Sequence, residues 1–492
     1  MTTTFRPEVA DVLGRARLTD VLTAHIGGEF TGLGRGGWVD VDDPATGAVV
    51  AGFETSSAEV VDDAVRNADE AYRRWRAISP AERGRLLAGA ATAIRRDADL
   101  LARLECIDSG KPLSQARADI AGSARYFEYY AGLADKIHGE TLPQASGTFA
   151  FTRREPLGVV AHITPWNAPL TQLARGVAPC LAAGNAVVVK PSEMTPLTSV
   201  YLARLLVEAG LPPGLCNVVL GAADPTGKAL TEHELVRHIT FTGSVAGGRA
   251  VGEVAARRII GVNLELGGKS PTIVCADADL AAAAAAGAQA VVRNSGQSCF
   301  ATTRLLVDRA VRPQFVELLA ERMAGLSVGH GLDDPDVGPL ISDRQLQRVA
   351  SFIDSARVEG AQVVIGGDQP SVGGRFINPT LVQDVTNEMR IAREEIFGPV
   401  QSVLEFETLE QAIAIANDTE YGLSAGVFTR DLATAHQVAE RLEAGQVQVN
   451  RYIGAGVEVP FGGYKNSGLG REKGTEAVHH YTQVKSVIMD IA

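Results

Sequence analysis

Apolar and polar positions along this chain follow two rhythms. Across residues 59–104, Val60, Val61, Ala64, Val65, Ala68 and Ala71 recur at helical spacing, and Pro80 sits where a second helix starts. Between 136 and 152 the rhythm dissolves into KIHGETLPQASGTFAFT, a Gly/Pro/Ser-rich extended stretch that reads as a linker or a protruding arm. From Gly158 the runs GVVAHI, AVVVK, CNVVL, HITF and IIGVNLEL alternate with helical segments. A second series, PTIVC, RLLVD, FINPTLV, PVQSVLEF and GVFT, continues the alternation. Short β-branched runs between helices predict an α/β fold with parallel sheets and crossovers. Ligands then sit beyond the carboxyl ends of the strands. Residues 164–167, 190–193, Gly221 and 242–244 fall at those ends and are expected to cluster. The tail VHHYTQVKSVIMDIA alternates as a terminal strand able to join another subunit's sheet, with His479 and His480 on opposite faces.

Composition narrows the class. The 492 residues are 46% hydrophobic and 21% charged, which excludes disordered, collagen-like and coiled-coil chains. A net charge of −12 argues against non-specific nucleic-acid binding and against an anionic membrane surface. No apolar run approaches the roughly 20 residues of a membrane span. Arg6, Glu8 and Asp11 occupy the place of a signal peptide's apolar stretch. Five cysteines without close pairing make no disulfide framework, so a cytoplasmic protein is expected.

Several residues stand out chemically. Cys299 follows Gly296-Gln297-Ser298 on what reads as a flexible loop; nucleophile and packing residue are both open there. Cys106, Cys180, Cys216 and Cys275 sit within helix or strand patterns and read as packing. Glu265, in LELGGKS at a strand end, is a structural cap or a general base tuned by burial. Asn167, in PWN, is a turn residue or a neutral donor to an oxyanion. Gly243 and Gly248, in FTGSVAGG, follow a strand and open a helix, where backbone N–H groups attract a pyrophosphate. Glu193, in KPSE, can accept ribose hydroxyls and repel a 2′-phosphate, with Lys190 beside it, or the two form a surface pair. No HExxH or Cys/His cluster of zinc-ligand spacing occurs, so no metal is expected.

Together these motifs resemble one family. PWN (165–167), KPSE (190–193), FTGS (241–244), LELGGKSP (264–271), GQSC (296–299), EEIFGPV (394–400), Asn417 with YGL (421–423) and PFGGYKNSG (460–468) are similar in order and spacing to the NAD(P)-dependent aldehyde dehydrogenase superfamily, hydrolytic type, from about Phe30 onward. The resemblance implies a Rossmann-like cofactor domain (1–131 and 152–262), an α/β catalytic domain (263–450), a small β oligomerisation arm (132–151 and 476–492) and a return segment (451–475). It implies Cys299 as nucleophile, Glu265 as activator of the hydrolytic water and Asn167 as oxyanion donor. Ile163, Trp166, Lys190, Ser192, Glu193, Phe241, Gly243, Ser244, Leu266, Glu395 and Phe397 would bind NAD, preferred over NADP. The partners implied are an aldehyde, water and further copies of the chain, as a homodimer or homotetramer. Ala168 stands where many relatives carry an aromatic, and Arg175-Gly176 where relatives often have Trp-Lys. Ala168, Val457 and Val459 predict a wide, mainly apolar channel for an aromatic or medium-chain aldehyde. A betaine or aminoaldehyde dehydrogenase is the alternative, since GLADKIHGETLP (132–143) is similar to that subgroup. A CoA-acylating enzyme and a non-catalytic relative are further rivals, disfavoured by Glu265 and by the retained Cys299.

Overall fold

The computed structural model describes residues 6–18, 20–32, 34–452 and 455–491. Residues 1–5 of the leader reading and 453–454 of the return segment lie outside them. Two large sheets organise the chain. The first has eight strands, ordered Gly468–Leu469, Gly261–Glu265, Val236–Thr242, Val159–Ile163, Ala186–Lys190, Cys216–Val218, His25–Ile26 and Glu29–Phe30. Its five central strands run parallel. Val159–Ile163 and Ala186–Lys190 are buried along their whole length, as strands covered on both faces must be. Register places Phe241 opposite Ile163, Ile163 opposite Lys190, and Thr242 opposite Glu265, so the expected ligand-binding positions share one edge.

The second sheet has seven strands, from Gln362–Ile365 through Thr380–Gln383, Val400–Phe406, Arg304–Asp308, Pro271–Val274 and Ser424–Phe428 to Gln446–Val449. Only its first pair is antiparallel. Successive residues feed opposite cores. Ile273, Leu306 and Leu404 enter one, and Val274, Leu305 and Val403 the other. The period of two in those runs is what makes this layering possible.

The extended stretch and the tail form a third, small sheet. Thr482–Asp490 pairs antiparallel with Thr148–Pro156 over its full length, and Thr141–Leu142 adds a short edge. The ladder runs on to Pro156, past the boundary at 151, because Thr482 still pairs there. The tail's first half departs from expectation: Glu476–His480 is a helical turn, so His479 and His480 do not alternate across a strand. The return segment closes the first sheet, with Gly468 opposite Glu265. Between the helix Pro7–Arg15 and the helix Ala58–Trp75, Val21–Leu22, Val49–Ser56 and Arg35–Asp42 make a further sheet that the apolar rhythm does not reveal.

Candidate active site

Cys299 lies beyond the helix Leu280–Val292, after a turn in which Asn294, Ser295 and Gly296 all take positive φ, at 51°, 57° and 71°. Two non-glycine residues in that region cost on the order of 1 kcal/mol each. Local hydrogen bonds offset the cost. Asn294 Nδ2 donates to the carbonyls of Asn167 at 2.6 Å and Gln297 at 3.1 Å, and the Asn294 N–H donates to Gln115 Oε1 at 2.7 Å. Ser295 Oγ donates to the Gly338 carbonyl at 2.9 Å. The buried Gln297 amide donates to the Asn294 carbonyl at 3.1 Å and accepts from the Ile341 N–H at 3.0 Å. The loop expected to be flexible is thus tied to both neighbouring elements. On it, Cys299 is partly exposed, whereas the other four cysteines are buried.

Asn167 follows the strand Val159–Ile163, and its Nδ2 donates to the Gln297 carbonyl at 3.1 Å. That bond aims the amide at the cysteine loop. Burial pushes the Cys299 thiol up to about 12; Arg175 pulls it down, while Glu395 and Glu265 push it further up. The resting group is therefore a thiol.

Glu265 closes its strand 2% exposed, and neither carboxylate oxygen finds a hydrogen-bond partner among the described residues. Burial, reinforced by the negative charge of Glu472, holds its carboxyl well above the usual range, against Arg175 and Arg471. Glu472 forms a buried ion pair with Arg175, whose guanidinium carbon stands 5.0 Å from the centre of the Phe461 ring. A partnerless, desolvated carboxyl beside a thiol suits a general base that takes its proton from an incoming water.

Two cavities meet here. One, of about 280 Å³, is lined by Trp166, Gly243, Ser244, Leu266, Glu395 and Phe397 together with Glu265, Asn167 and Cys299. Ser244 caps the helix Val245–Arg258 by accepting from the Gly247 N–H at 3.1 Å, and the other N–H groups of a helix's first turn are the kind of donors that suit an anion. The Phe241 ring lies where a Cβ on Gly243 or Gly247 would stand, 2.7 Å from the ring in each case. Leu266 packs over Gly248 in the same way. Glu395 Oε1 accepts from the Gly268 N–H at 3.0 Å, and burial pushes this carboxyl up to about 7. A side chain on Gly267 would stand 2.5 Å from Glu395 Oε2. Phe397, at φ 62°, meets Trp166 edge to face at 5.1 Å. Gln345 and Arg348, which sequence reasoning missed, brace this wall by donating to the carbonyls of Phe397 at 2.8 Å and Glu395 at 2.7 Å.

Five expected cofactor residues lie outside that lining. Ile163 and Phe241 sit in the adjoining register row. Lys190 Nζ donates to the carbonyls of Gly221 at 2.6 Å and Pro191 at 2.9 Å, and stands 3.8 Å from Glu193. Ser192 Oγ accepts from the Met194 N–H at 3.3 Å. The expected clustering of residues 164–167, 190–193 and Gly221 holds at this edge, since the Thr164 N–H also donates to the Lys190 carbonyl at 3.1 Å.

The second cavity, of about 320 Å³, shares Asn167, Gln172 and Cys299 with the first. One face of the helix Leu113–Ala131 lines it through Gln115, Asp119, Gly122 and Tyr126, a helix-period row that the sequence reading passed over. Ala168, Val457, Phe300 and Phe461 give it apolar surface, while Val459 is on the outside. The channel is less apolar than expected, because Arg175, Arg293 and Lys473 also reach its wall.

Comparison with known proteins agrees with this fold. The aldehyde dehydrogenase family matches residues 34–487. An NAD-dependent aldehyde dehydrogenase from Sinorhizobium meliloti is 40% identical, with a TM-score of 0.94 over 97% of this chain and 96% of that one. The betaine aldehyde dehydrogenase of Staphylococcus aureus, solved in complex with NAD+, is 35% identical, with a TM-score of 0.95 over 98% of this chain and 97% of that one. An NADP-dependent enzyme of E. coli is 38% identical, with a TM-score of 0.94 over 95% of this chain and 98% of that one. By its sequence, its two-sheet architecture and its cysteine loop, this chain belongs to the aldehyde dehydrogenase family.

Proposed function

We propose that this chain oxidises an aldehyde to the carboxylic acid through an acyl group carried on Cys299, with NAD as the acceptor. The observation that carries the reading is the shared wall of the two cavities, which Cys299 and Asn167 both line; it supports one cavity as the substrate channel and the other as the cofactor site.

The residues of the smaller cavity fit a dinucleotide. A capped helix N-terminus suits its pyrophosphate, the Glu395 carboxyl suits a ribose hydroxyl, and Trp166 with Phe397 offers ring surface to a nicotinamide. When bound, that group supplies the acceptor for the hydrogen and electron pair that leave the aldehyde carbon. The half-exposed Glu193 supports NAD over NADP, because its carboxylate repels a 2′-phosphate.

Cys299, once deprotonated, attacks the carbonyl carbon and forms a thiohemiacetal. The Asn167 amide and the Cys299 N–H hold the oxyanion; one such donor is typically worth about 3–4 kcal/mol. Loss of hydrogen from the carbon leaves a thioester on the sulfur. Glu265 takes a proton from water, which attacks the thioester, releases the acid and restores the thiolate. Tyr126, Phe300 and Phe461 support an aromatic or medium-chain body for the substrate.

Residues 1–131, 152–262 and 451–475 are assigned to the cofactor domain, 263–450 to the catalytic domain, and 132–151 with 476–492 to the arm. Exposed Phe149, Val484, Ile488 and Met489 on the arm sheet support its use between subunits of a homodimer or homotetramer. Free cysteines throughout the described chain fit a reducing, cytoplasmic setting.

The test is to follow NADH with NAD and NADP in parallel, with and without CoA, and to identify the product. Free acid formed without CoA supports the reading. An absolute need for CoA with acyl-CoA as product overturns it in favour of acyl transfer.

A further inference from the structure

The substrate channel carries more positive charge than its own carboxylates compensate. Arg293 and Lys111 share Asp119, and Lys111 also pairs with Glu105, so that group closes on itself. Arg175 pairs with Glu472. Lys473 makes no ion pair among the described residues. Among the described residues its Nζ donates to the Ala455 carbonyl alone, at a long 3.4 Å, and stands 5.9 Å from the centre of the Phe461 ring, while Glu458 and Glu472 act on it at greater range. Lys473 is nevertheless buried, with the residue 8% exposed.

A second observation points the same way. Arg175 is 6% exposed, and its Nη2 has no hydrogen-bond partner among the described residues. Arg175 and Lys473 both face the Phe461 ring, which meets Phe300 edge to face at 6.2 Å, and Arg293 stands 5.9 Å from the Phe300 ring. Three cations thus border one aromatic corner of the channel that begins at Cys299. A buried ammonium and an unused guanidinium N–H are costly unless an anion or water reaches them.

The geometry points to an aldehyde that carries a carboxylate at its other end, with Arg175 Nη2 and Lys473 Nζ receiving that carboxylate and Arg293 adding to the field. This rests on the aldehyde oxidation proposed above. A neutral aldehyde of equal length offers Arg175 Nη2 and Lys473 Nζ no acceptor, and a trimethylammonium aldehyde meets the like charge of Lys473, which no ion pair among the described residues offsets, so the betaine alternative is disfavoured by the same residues.

The experiment compares kcat/KM for glutaric semialdehyde with pentanal, for para-carboxybenzaldehyde with benzaldehyde, and for betaine aldehyde, in the wild type and in Lys473→Met and Lys473→Arg. In the wild type at least one acid-bearing aldehyde exceeds its neutral counterpart by about 10- to 100-fold, the value of one charge-assisted hydrogen bond. Lys473→Met lowers that ratio by about the same factor, mainly through KM, and Lys473→Arg restores most of it. A wild type that prefers the neutral or the cationic aldehyde overturns the inference while leaving the oxidation intact. A ratio untouched by Lys473→Met also overturns it. Should folded protein oxidise none of these aldehydes, the underlying activity fails first, and the substrate reading with it.

Discussion

The side-chain amide of Asn167 donates to the backbone carbonyl of Gln297 at 3.1 Å, two residues before Cys299. In return, the Asn167 carbonyl accepts from Asn294, within the same loop. The proposed oxyanion donor and the proposed nucleophile are therefore held by one reciprocal bridge between the two large sheets. Asn167→Ala removes the donor and one strut together. We expect kcat to fall by about 100- to 1,000-fold with a far smaller change in NAD affinity. Steady-state kinetics and fluorescence titration with NAD check this, and loss of both in parallel would point to collapse of the loop instead.

Glu265 has no hydrogen-bond partner to lose among the described residues, so Glu265→Gln keeps its shape and removes only its basicity. Release of the acid should slow by about 100-fold or more, while formation of the first NADH stays fast. Stopped-flow traces of the variant should show a burst close to one equivalent per site, followed by slow turnover. A burst that disappears together with turnover would place Glu265 earlier in the sequence.

The pH response of Cys299 follows from its burial. Its thiol is pushed up to about 12, so the thiolate is the minor form throughout the neutral range. Each unit of rising pH below that value increases the thiolate about tenfold. Alkylation of Cys299 by iodoacetamide, read by peptide mapping, should climb between about pH 6 and 10 without levelling. A plateau below about pH 8 would mean that Arg175, which favours the thiolate, outweighs burial.

Gly296 combines a φ of 71° with a Cβ direction that runs into the Gly398 carbonyl. Gly296→Ala should destabilise the fold by about 2 kcal/mol or more and abolish oxidation. Gly14, in the helix Pro7–Arg15 with open space beside it, provides the control. Gly14→Ala should be neutral or stabilising by up to about 1 kcal/mol. Thermal melting of both variants decides the matter.

Cofactor choice should reside partly in Glu193, which stands half-exposed 3.8 Å from Lys190. Glu193→Ser removes the carboxylate and should narrow the preference for NAD over NADP by about 10-fold or more. Paired KM measurements with the two dinucleotides test it, and an unchanged ratio would assign discrimination elsewhere.

Much of this site is readable from the sequence because it sits where chain rhythm changes. Gly243 and Leu266 follow directly on strand residues and Trp166 stands three residues past a strand end, and parallel strands deliver such positions to a common edge. Cys299 differs from the other cysteines in lying outside any helix or strand pattern, and the structure leaves it alone partly exposed. What escaped was long-range. Glu472 influences Glu265 although 207 residues separate them by number, and no local pattern pairs Glu472 with Arg175. Gln345 and Arg348 belong to an amphipathic helix whose polar residues look like solvated surface until Phe397 is placed beside them. The apolar channel inferred from Ala168 and Val457 overlooked the cations because Arg175 and Lys473 reach it from separate segments. The tail's histidines were read as strand because alternation does not show where Glu476–His480 stops and Thr482 begins.

The mechanism proposed above requires a sulfur–acyl bond to form on Cys299 during turnover. Mass spectrometry of the Glu265→Gln variant, quenched in acid while oxidising an aldehyde with NAD, reads it directly. The account predicts that the peptide containing Cys299 carries the mass of the acyl group in most molecules, and that Cys299→Ala carries none. An unmodified Cys299 peptide while acid product continues to accumulate would contradict it.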